Sequence, residues 1–437
     1  MKPGSDLSRA LESVSIPTVG ETFEDGTLID LLASPSSPKR LSLILRRGNR
    51  SITGRRLSLD GQYYIPADLP PTLSESMYLP ERAVKYGSTR ALFDGLVRMF
   101  ASKCRLSDRE AQLPAYFEMA THFTDCFPTV PSLGVIAADA TDATQFLRVS
   151  ATASRHALPL ADLQSAALSQ LPRGLRPTLI LCQSLLTTAT VRSLRASQNQ
   201  GFGVLRLGGI ADLCCSTAFA INAEAPEEMI AMANLEIYLE PNRDLPIVRD
   251  VELKAIAADL QPRLLDYRLK NHAAVRSSTF DVPQFEGATR EIARALGGCI
   301  VGDPELQAGV VEALKGRDEA RRSRQWTTPS SLVVEALLVL CHEPGRTSVY
   351  VGDIAEVANG ILTGRKESVE LSPRKVGPLL RALNVTSTTD RNSNGYNFLL
   401  MNDSRRRIHE LARGFGLLWM KETAGRCEFC AAVMASE

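Results

Sequence analysis

"GVIAADATDATQFLRVS", running from Gly134 to Ser150, decides how the rest of the chain is read. It follows "FPTVPSL" and reads as an apolar strand, a turn of small residues and an amphipathic helix. That layout surrounds a phosphate-binding loop, whose spacing is G-x-x-x-x-G-K-[ST] between a strand and a helix. The glycines let backbone N–H groups wrap phosphates, the lysine neutralises their charge, and the hydroxyl ligates Mg²⁺. Laid on that spacing, Ala137 takes the first glycine position and Asp142 the second, Ala143 replaces the lysine, and Thr144 keeps the hydroxyl. A carboxylate at Asp142 with no lysine beside it repels a polyphosphate.

Hydrolysis also needs a second strand ending in an acid for the Mg²⁺ shell and another to activate water. The matching strand is "PTLILCQS", and Cys182 and Gln183 stand where those acids belong. A thiol is a poor ligand for Mg²⁺, which takes hard oxygens, and Gln cannot act as a base. These three losses together predict a core without ATPase chemistry.

Outward from this unit, short apolar strands are expected at 132–138, 177–183, 201–208, 216–221 and 235–241. Helices are expected around Thr144–Ala151, Pro159–Ser169 and Thr188–Asn199. Strands alternating with helices predict an α/β fold with a P-loop-like three-layer core and a mostly parallel sheet. Upstream, "TRALFDGLVRMFASKC" and "SDREAQLPAYFEMATHFTDCF" read as helices, the second opened by Ser107 as N-cap. Residues 1–40 are acidic and then Ser/Pro-rich, which predicts a loose tail, and a small basic β-hairpin is expected after it. The expected division is 1–75 tail and hairpin, 76–247 core, 248–326 helical subdomain, 327–420 DNA-binding domain and 421–437 tail.

The order "DCFPTVPSLGVIAADATDATQFLR", "LPRGLRPTLIL", "VRSLRASQNQGFGVLRLGG", "STAFAI", "NLEIYLEP" resembles the ATPase half of phage- and plasmid-type primase–helicases and related AAA+-like proteins, over roughly residues 110–270. The resemblance implies a mobile-element replication role for the lineage and places Arg263, Arg268 and Arg276 where such ATPases carry trigger arginines. Solvated helix faces and structural ion pairs are the alternative for each.

Residues 329–417 carry the clearest module. "SSLVVEALLVLCHE" is an apolar helix, "TSVYVGDIAEVANGIL" a short strand and a helix, and "LSPRKVGPLLRALNV" a third helix with Ser372 as N-cap and Pro373 at its first position. Val376, Leu379, Leu380 and Leu383 form one buried stripe, with Arg374, Lys375 and Arg381 opposite or at its edge. "NVTSTTDRNSNGYNFLLM" reads as two strands and "SRRRIHELARGFGL" as a closing helix. This layout resembles a winged helix–turn–helix, which implies that the Ser372 helix enters a major groove with Arg374 and Lys375 at phosphates and base edges. Arg391 would sit at the wing tip, and Arg405, Arg406 and Arg407 would add phosphate contacts.

Composition bounds these readings. The 437 residues suggest two or three domains. A net charge of +1 excludes a wholesale polyanion binder, so nucleic-acid contact must be local. Two basic stretches qualify: seven cations and no acid from Lys39 to Arg56, and ten cations against five acids from Arg365 to Arg413. No apolar run reaches the ~18 residues of a membrane span, and the polar start lacks a signal peptide. The nine scattered cysteines fit reduced thiols, so a cytoplasmic protein is expected.

Cys427 and Cys430 form a single Cys-x-x-Cys; with Cys341–His342 placed inside a helix, no second ligand pair is expected, and so no metal. None of the five histidines lies in a nucleophile motif, so no catalytic residue and no cofactor is expected. The expected function is non-catalytic binding of duplex DNA, with the core giving homo-oligomer or replication-partner contacts. The alternatives are a residual ATP binder and a transcription regulator with a ligand-sensing core.

Overall fold

The computed structural model describes residues 15–417 and 427–434, apart from 35–36, 169, 173, 183–185, 207–208, 223–224, 226, 241–245, 286, 327, 368–369, 386–388 and 393–394. It divides into two compact units, Met1–Lys315 and Gly316–Glu437.

The first unit is built on strands Ser132–Ala137, Leu158–Leu160, Leu179–Leu181, Thr217–Ile221 and Leu235–Leu239, all mutually parallel. Counted along the chain, their spatial order is fifth, first, fourth, third, second. A parallel sheet is covered on both faces, so its strands read as continuous apolar runs. Thr217–Ile221 shows this: Ala218 and Ala220 join one buried cluster, and Phe219 and Ile221 join another on the opposite face. Gly134 is needed for packing here. A Cβ at that position would lie 2.5 Å from Ile221 Cδ1 and 2.8 Å from Ala233 Cβ.

One face is covered by helices Thr89–Cys104, Asp108–Thr121, Ala140–Ala151, Asp250–Arg276 and Gly287–Gly298, whose apolar stripes share a single core with the sheet. Of the stretch 248–326, expected as a helical subdomain, residues up to Leu314 contribute to this same core cluster. Ser107 opens its helix with the expected cap, reinforced by Glu110 in a reciprocal capping box.

Other expectations change too. Residues 15–34 hold three strands where a tail was expected. Gly20–Thr22, Leu28–Ser34, Ser37–Arg47 and Arg50–Gly54 form an antiparallel sheet, and Ser15–Thr18, Gln62–Pro66 and Leu57–Leu59 form a second sheet. Leu31, Leu43 and Leu45 pack with Leu158, Leu179 and Phe219 against the other face of the parallel sheet. The helix expected at Pro159–Ser169 is an edge strand, Leu158–Leu160, and then a short helix, Ser165–Leu168. Pro159 is tolerated because the strand is at the sheet's edge. The strand at 201–208 lies outside the parallel sheet: Gly203–Arg206 pairs antiparallel with Gly209–Asp212.

In the second unit, helix Pro329–Cys341 is followed by strand Ser348–Tyr350 and helices Val351–Gly364 and Pro373–Ala382. Strands Thr389–Asn392 and Gly395–Leu399 and helices Asn402–Gly414 and Glu428–Met434 complete it. Gly395–Leu399 is the middle strand of three and runs antiparallel to both neighbours. Leu337, Val349, Ile354, Val376, Leu380, Phe398 and Ile408 form the core. His342 is not inside a helix, as the sequence suggested, but caps the C-terminus of Pro329–Cys341.

Candidate nucleic-acid interface

The strand-to-helix turn of the quoted stretch has only two residues, Ala138 and Asp139, between Ala137 and the helix that begins at Ala140. A phosphate loop on the overlaid spacing needs four residues there; two of them, Ala140 and Thr141, are already helical. Asp139 is the N-cap, and its carboxylate accepts the Thr141 N–H at 2.7 Å. The helix end is thus filled by the chain's own anion. Those bonds from the Thr141 backbone and side chain hold the Asp139 carboxyl below its ordinary range.

Asp142 and Thr144 are half-buried and Ala143 is buried in the core. Gln145 ties the helix down by donating to the carbonyls of Lys103 and Pro246 at 2.9 and 2.7 Å. Cys182 follows its strand directly, half-buried, and burial pushes its thiol up against the opposing charge of Arg148. Gln183 lies outside the described residues.

The three arginines of the first unit separate. Arg263 pairs with Asp259 on its own helix, and Arg276 is exposed. Arg268 is buried, donating to Asp30 at 3.1 Å and to Asp125 at 2.8 Å. Arg155 adds a second bond to Asp30 at 2.9 Å. Burial opposes the charge on Asp30, but Arg155, His156 and Arg268 outweigh it and hold the carboxyl well below the usual carboxylate range. Burial is likewise overcome at Asp125, by Arg268 and His272. These partners join the N-terminal sheet to helix Asp250–Arg276. Asp125, Arg155 and Arg268 border a cleft of about 480 Å³ together with Arg176 and Arg276. Arg176 is itself paired with Asp212 at 3.0 Å. Asp30 and Asp125 were not anticipated, because the link joins residues 30, 125, 155 and 268 across the chain and has no local spacing.

The basic residues of the second unit also divide. Arg346 pairs with Glu343 and Asp353, and Arg365 donates from Nη2 to both carboxylate oxygens of Glu335. Arg405, expected at DNA, is turned inward: it donates to the carbonyls of Cys341 at 2.6 Å, Leu400 at 3.1 Å and Arg346 at 2.5 Å. That assignment is corrected to a structural one. Arg407 is half-buried, donates to Leu383 O at 3.5 Å and pairs with Glu410 at 3.6 Å, while Arg406 is exposed. Arg391 lies in strand Thr389–Asn392, opposite Tyr396 in the ladder, and its side chain is outside the described part.

Ser372 is the N-cap of Pro373–Ala382, with Pro373 at the first position. Arg374, Lys375 and Arg381 project from that helix into solvent, while Val376 and Leu380 face the core. Among the described residues no ion pair engages those three cations. Arg374 and Lys375 stand in the first turn of that helix, where positive charge and free backbone N–H groups suit an anionic ligand, while Arg381 lies in its last turn.

No protein-family model matches the sequence, and no curated protein matches it. Among solved structures, the chain is similar to an apo form of the NrS-1 C-terminal region, at 11% identity over 85% of this chain and 96% of that one, with a TM-score of 0.32. It is also similar to the Orc1 protein of Aeropyrum pernix in complex with DNA, at 15% identity over 76% of this chain and 94% of that one, with a TM-score of 0.17. Likenesses this loose decide nothing about the present chain. Its own residues define a mixed α/β protein with a five-stranded, all-parallel sheet and many helices. Among the described residues no helix is long and apolar enough to cross a membrane.

Proposed function

We propose that the protein binds duplex DNA through a winged helix–turn–helix in its second unit, and that its P-loop-like first unit works without nucleotide chemistry. The observation that carries this reading is the trio Arg374, Lys375 and Arg381. They stand solvent-exposed on helix Pro373–Ala382, while Arg346, Arg365 and Arg405 nearby in sequence are engaged by protein partners. On this reading the helix's N-terminal turn enters the major groove. The hairpin Thr389–Asn392 to Gly395–Leu399 is the wing, with Arg391 at its tip. Arg406 and the partly exposed Arg407 add backbone contacts; Arg405 does not.

In the first unit, Asp139 occupies the helix end that a phosphate would need, and Ala143 and Cys182 lack the charge and hard oxygen of a working site. That unit is read as a docking element for a replication partner or a second copy. Support comes from Tyr238 on an edge strand and from Ile247 and Val251, apolar side chains 57%, 86% and 77% exposed.

A mobility-shift titration with duplex DNA tests the proposal. The wild-type chain shifts the duplex, and Arg374→Ala with Lys375→Ala weakens the shift at least tenfold. Equal shifts from both would remove the assignment.

A further inference from the structure

Four ligand-bearing side chains converge in the second unit: His342, His409, Cys427 and Cys430. They come from the C-cap of helix Pro329–Cys341, from helix Asn402–Gly414, and from the start of the short helix Glu428–Met434. The gap between the two cysteine sulfurs is 3.7 Å. Cys427 Sγ lies 3.1 Å from His409 Nε2, Cys430 Sγ 3.2 Å from His342 Nε2, and the two Nε2 atoms are 3.3 Å apart.

Tetrahedral zinc with Zn–S of ~2.3 Å and Zn–N of ~2.0–2.1 Å requires edges of roughly 3.8 Å between sulfurs, 3.3 Å between nitrogens and 3.5 Å between unlike atoms. The first two edges match, the Cys427–His409 and Cys430–His342 edges fall within a few tenths of an ångström, and all four ligand atoms lie within 4.8 Å of one another. His409 Nδ1 lies 2.7 Å from the carbonyl of Arg405. A carbonyl only accepts, so Nδ1 carries the proton and Nε2 presents a lone pair toward the cluster. Arg405 also holds the carbonyl of Cys341, next to His342. The guanidinium of Arg405 thus fixes the backbone next to His342, and its main-chain carbonyl orients the ring of His409. His409 and Cys430 are fully buried.

From this geometry we infer that His342, His409, Cys427 and Cys430 form a closed Cys₂His₂ zinc site that fastens the C-terminal helix to the second unit. Four protein ligands leave no open position, so the site is structural. Two thiolates with two imidazoles in a tetrahedron select zinc over magnesium or calcium. Helix Glu428–Met434 has seven residues, too few to be stable alone. Among its contacts with the unit are Cys430 and Val433 in the core, the Phe429 ring 5.7 Å from that of His409, and a bond from Arg413 to Val433 O at 3.1 Å. A metal staple supplies what so small an interface lacks. The expectation of no second ligand pair fails because the pairing is spatial: the histidines lie 67 residues apart.

A second group, Asp125, Cys126 and His272, is also close together. It is not a metal site, since Arg268 already places a guanidinium 2.8 Å from the Asp125 carboxylate.

The test uses the untagged full-length chain, purified under reducing conditions and analysed for metals. About one zinc per chain is expected, falling to background in the Cys427→Ser, Cys430→Ser double variant. Because that variant can lose structure, the wild-type chain is also stripped with chelator and titrated with Co²⁺. Intense visible absorption of tetrahedral cobalt, with a thiolate charge-transfer band saturating at about one equivalent, is expected. Three results each overturn the inference: a cobalt spectrum without thiolate bands, zinc content unchanged in the double variant, or a Cys427–Cys430 disulfide in the reduced preparation.

Discussion

The Asp139 carboxylate accepts the Thr141 N–H at 2.7 Å at the start of helix Ala140–Ala151, where a nucleotide phosphate would otherwise be received. The site is closed by an N-cap, so calorimetric titration with Mg-ATP is expected to give no binding heat, with or without Thr144→Ala. Asp139→Ala lowers the urea midpoint by removing the cap and still creates no ATP binding. Binding abolished by Thr144→Ala would instead support a residual nucleotide site.

Gly134 sits where the parallel sheet leaves no room for a methyl group. Gly134→Ala is expected to destabilise the first unit by about 1–3 kcal/mol, the range for overpacking a core. Urea unfolding checks this. A stability equal to wild type would mean that Ile221 and Ala233 move aside freely.

Arg268 neutralises Asp30 and Asp125 inside the first unit. Arg268→Ala leaves both carboxylates buried with less compensation, so a loss of about 3–5 kcal/mol is expected. The two acids also set the acid limb of stability. Their folded pKa values lie below the unfolded one, so their contribution is full above the unfolded pKa and is lost as pH falls through the folded values. Asp30→Asn should flatten that limb in thermal melts at decreasing pH.

Glu118 has the opposite sign. Burial raises its carboxyl to about 8, despite hydrogen bonds from Ser150 and Ser154 that pull it down. The folded state therefore holds a proton that the unfolded state releases. Stability is complete below the unfolded pKa and declines as pH rises toward 8, by up to about 1.4 kcal/mol per pH unit. Glu118→Gln removes this decline. A variant with the same alkaline slope as wild type would show that Glu118 is ionised in the fold.

Much of the first unit was legible because its buried strands are uninterrupted apolar runs, as in "SLGVIA" and "TAFAI". Leu158–Leu160 was not, since three residues around a proline carry no periodicity. The N-terminal strands were hidden by their polar flanks, and the antiparallel placement of Gly203–Arg206 depends on a hairpin that no local pattern distinguishes from a parallel strand. At the interface, the start of helix Pro373–Ala382 was readable from Ser372 and Pro373. The inward turn of Arg405 was not: its partners are backbone carbonyls, and residue type does not reveal which of three adjacent arginines faces inside.

The salt dependence of duplex DNA binding tests the central claim most directly. Each phosphate contact contributes about 0.9 to the slope of log K against log salt. The Arg374→Ala, Lys375→Ala, Arg381→Ala variant is predicted to bind more weakly with a slope shallower by about 2–3, while Arg346→Ala, at an internally paired arginine, keeps the wild-type slope. Identical slopes and affinities for the triple variant and the wild type would contradict the account.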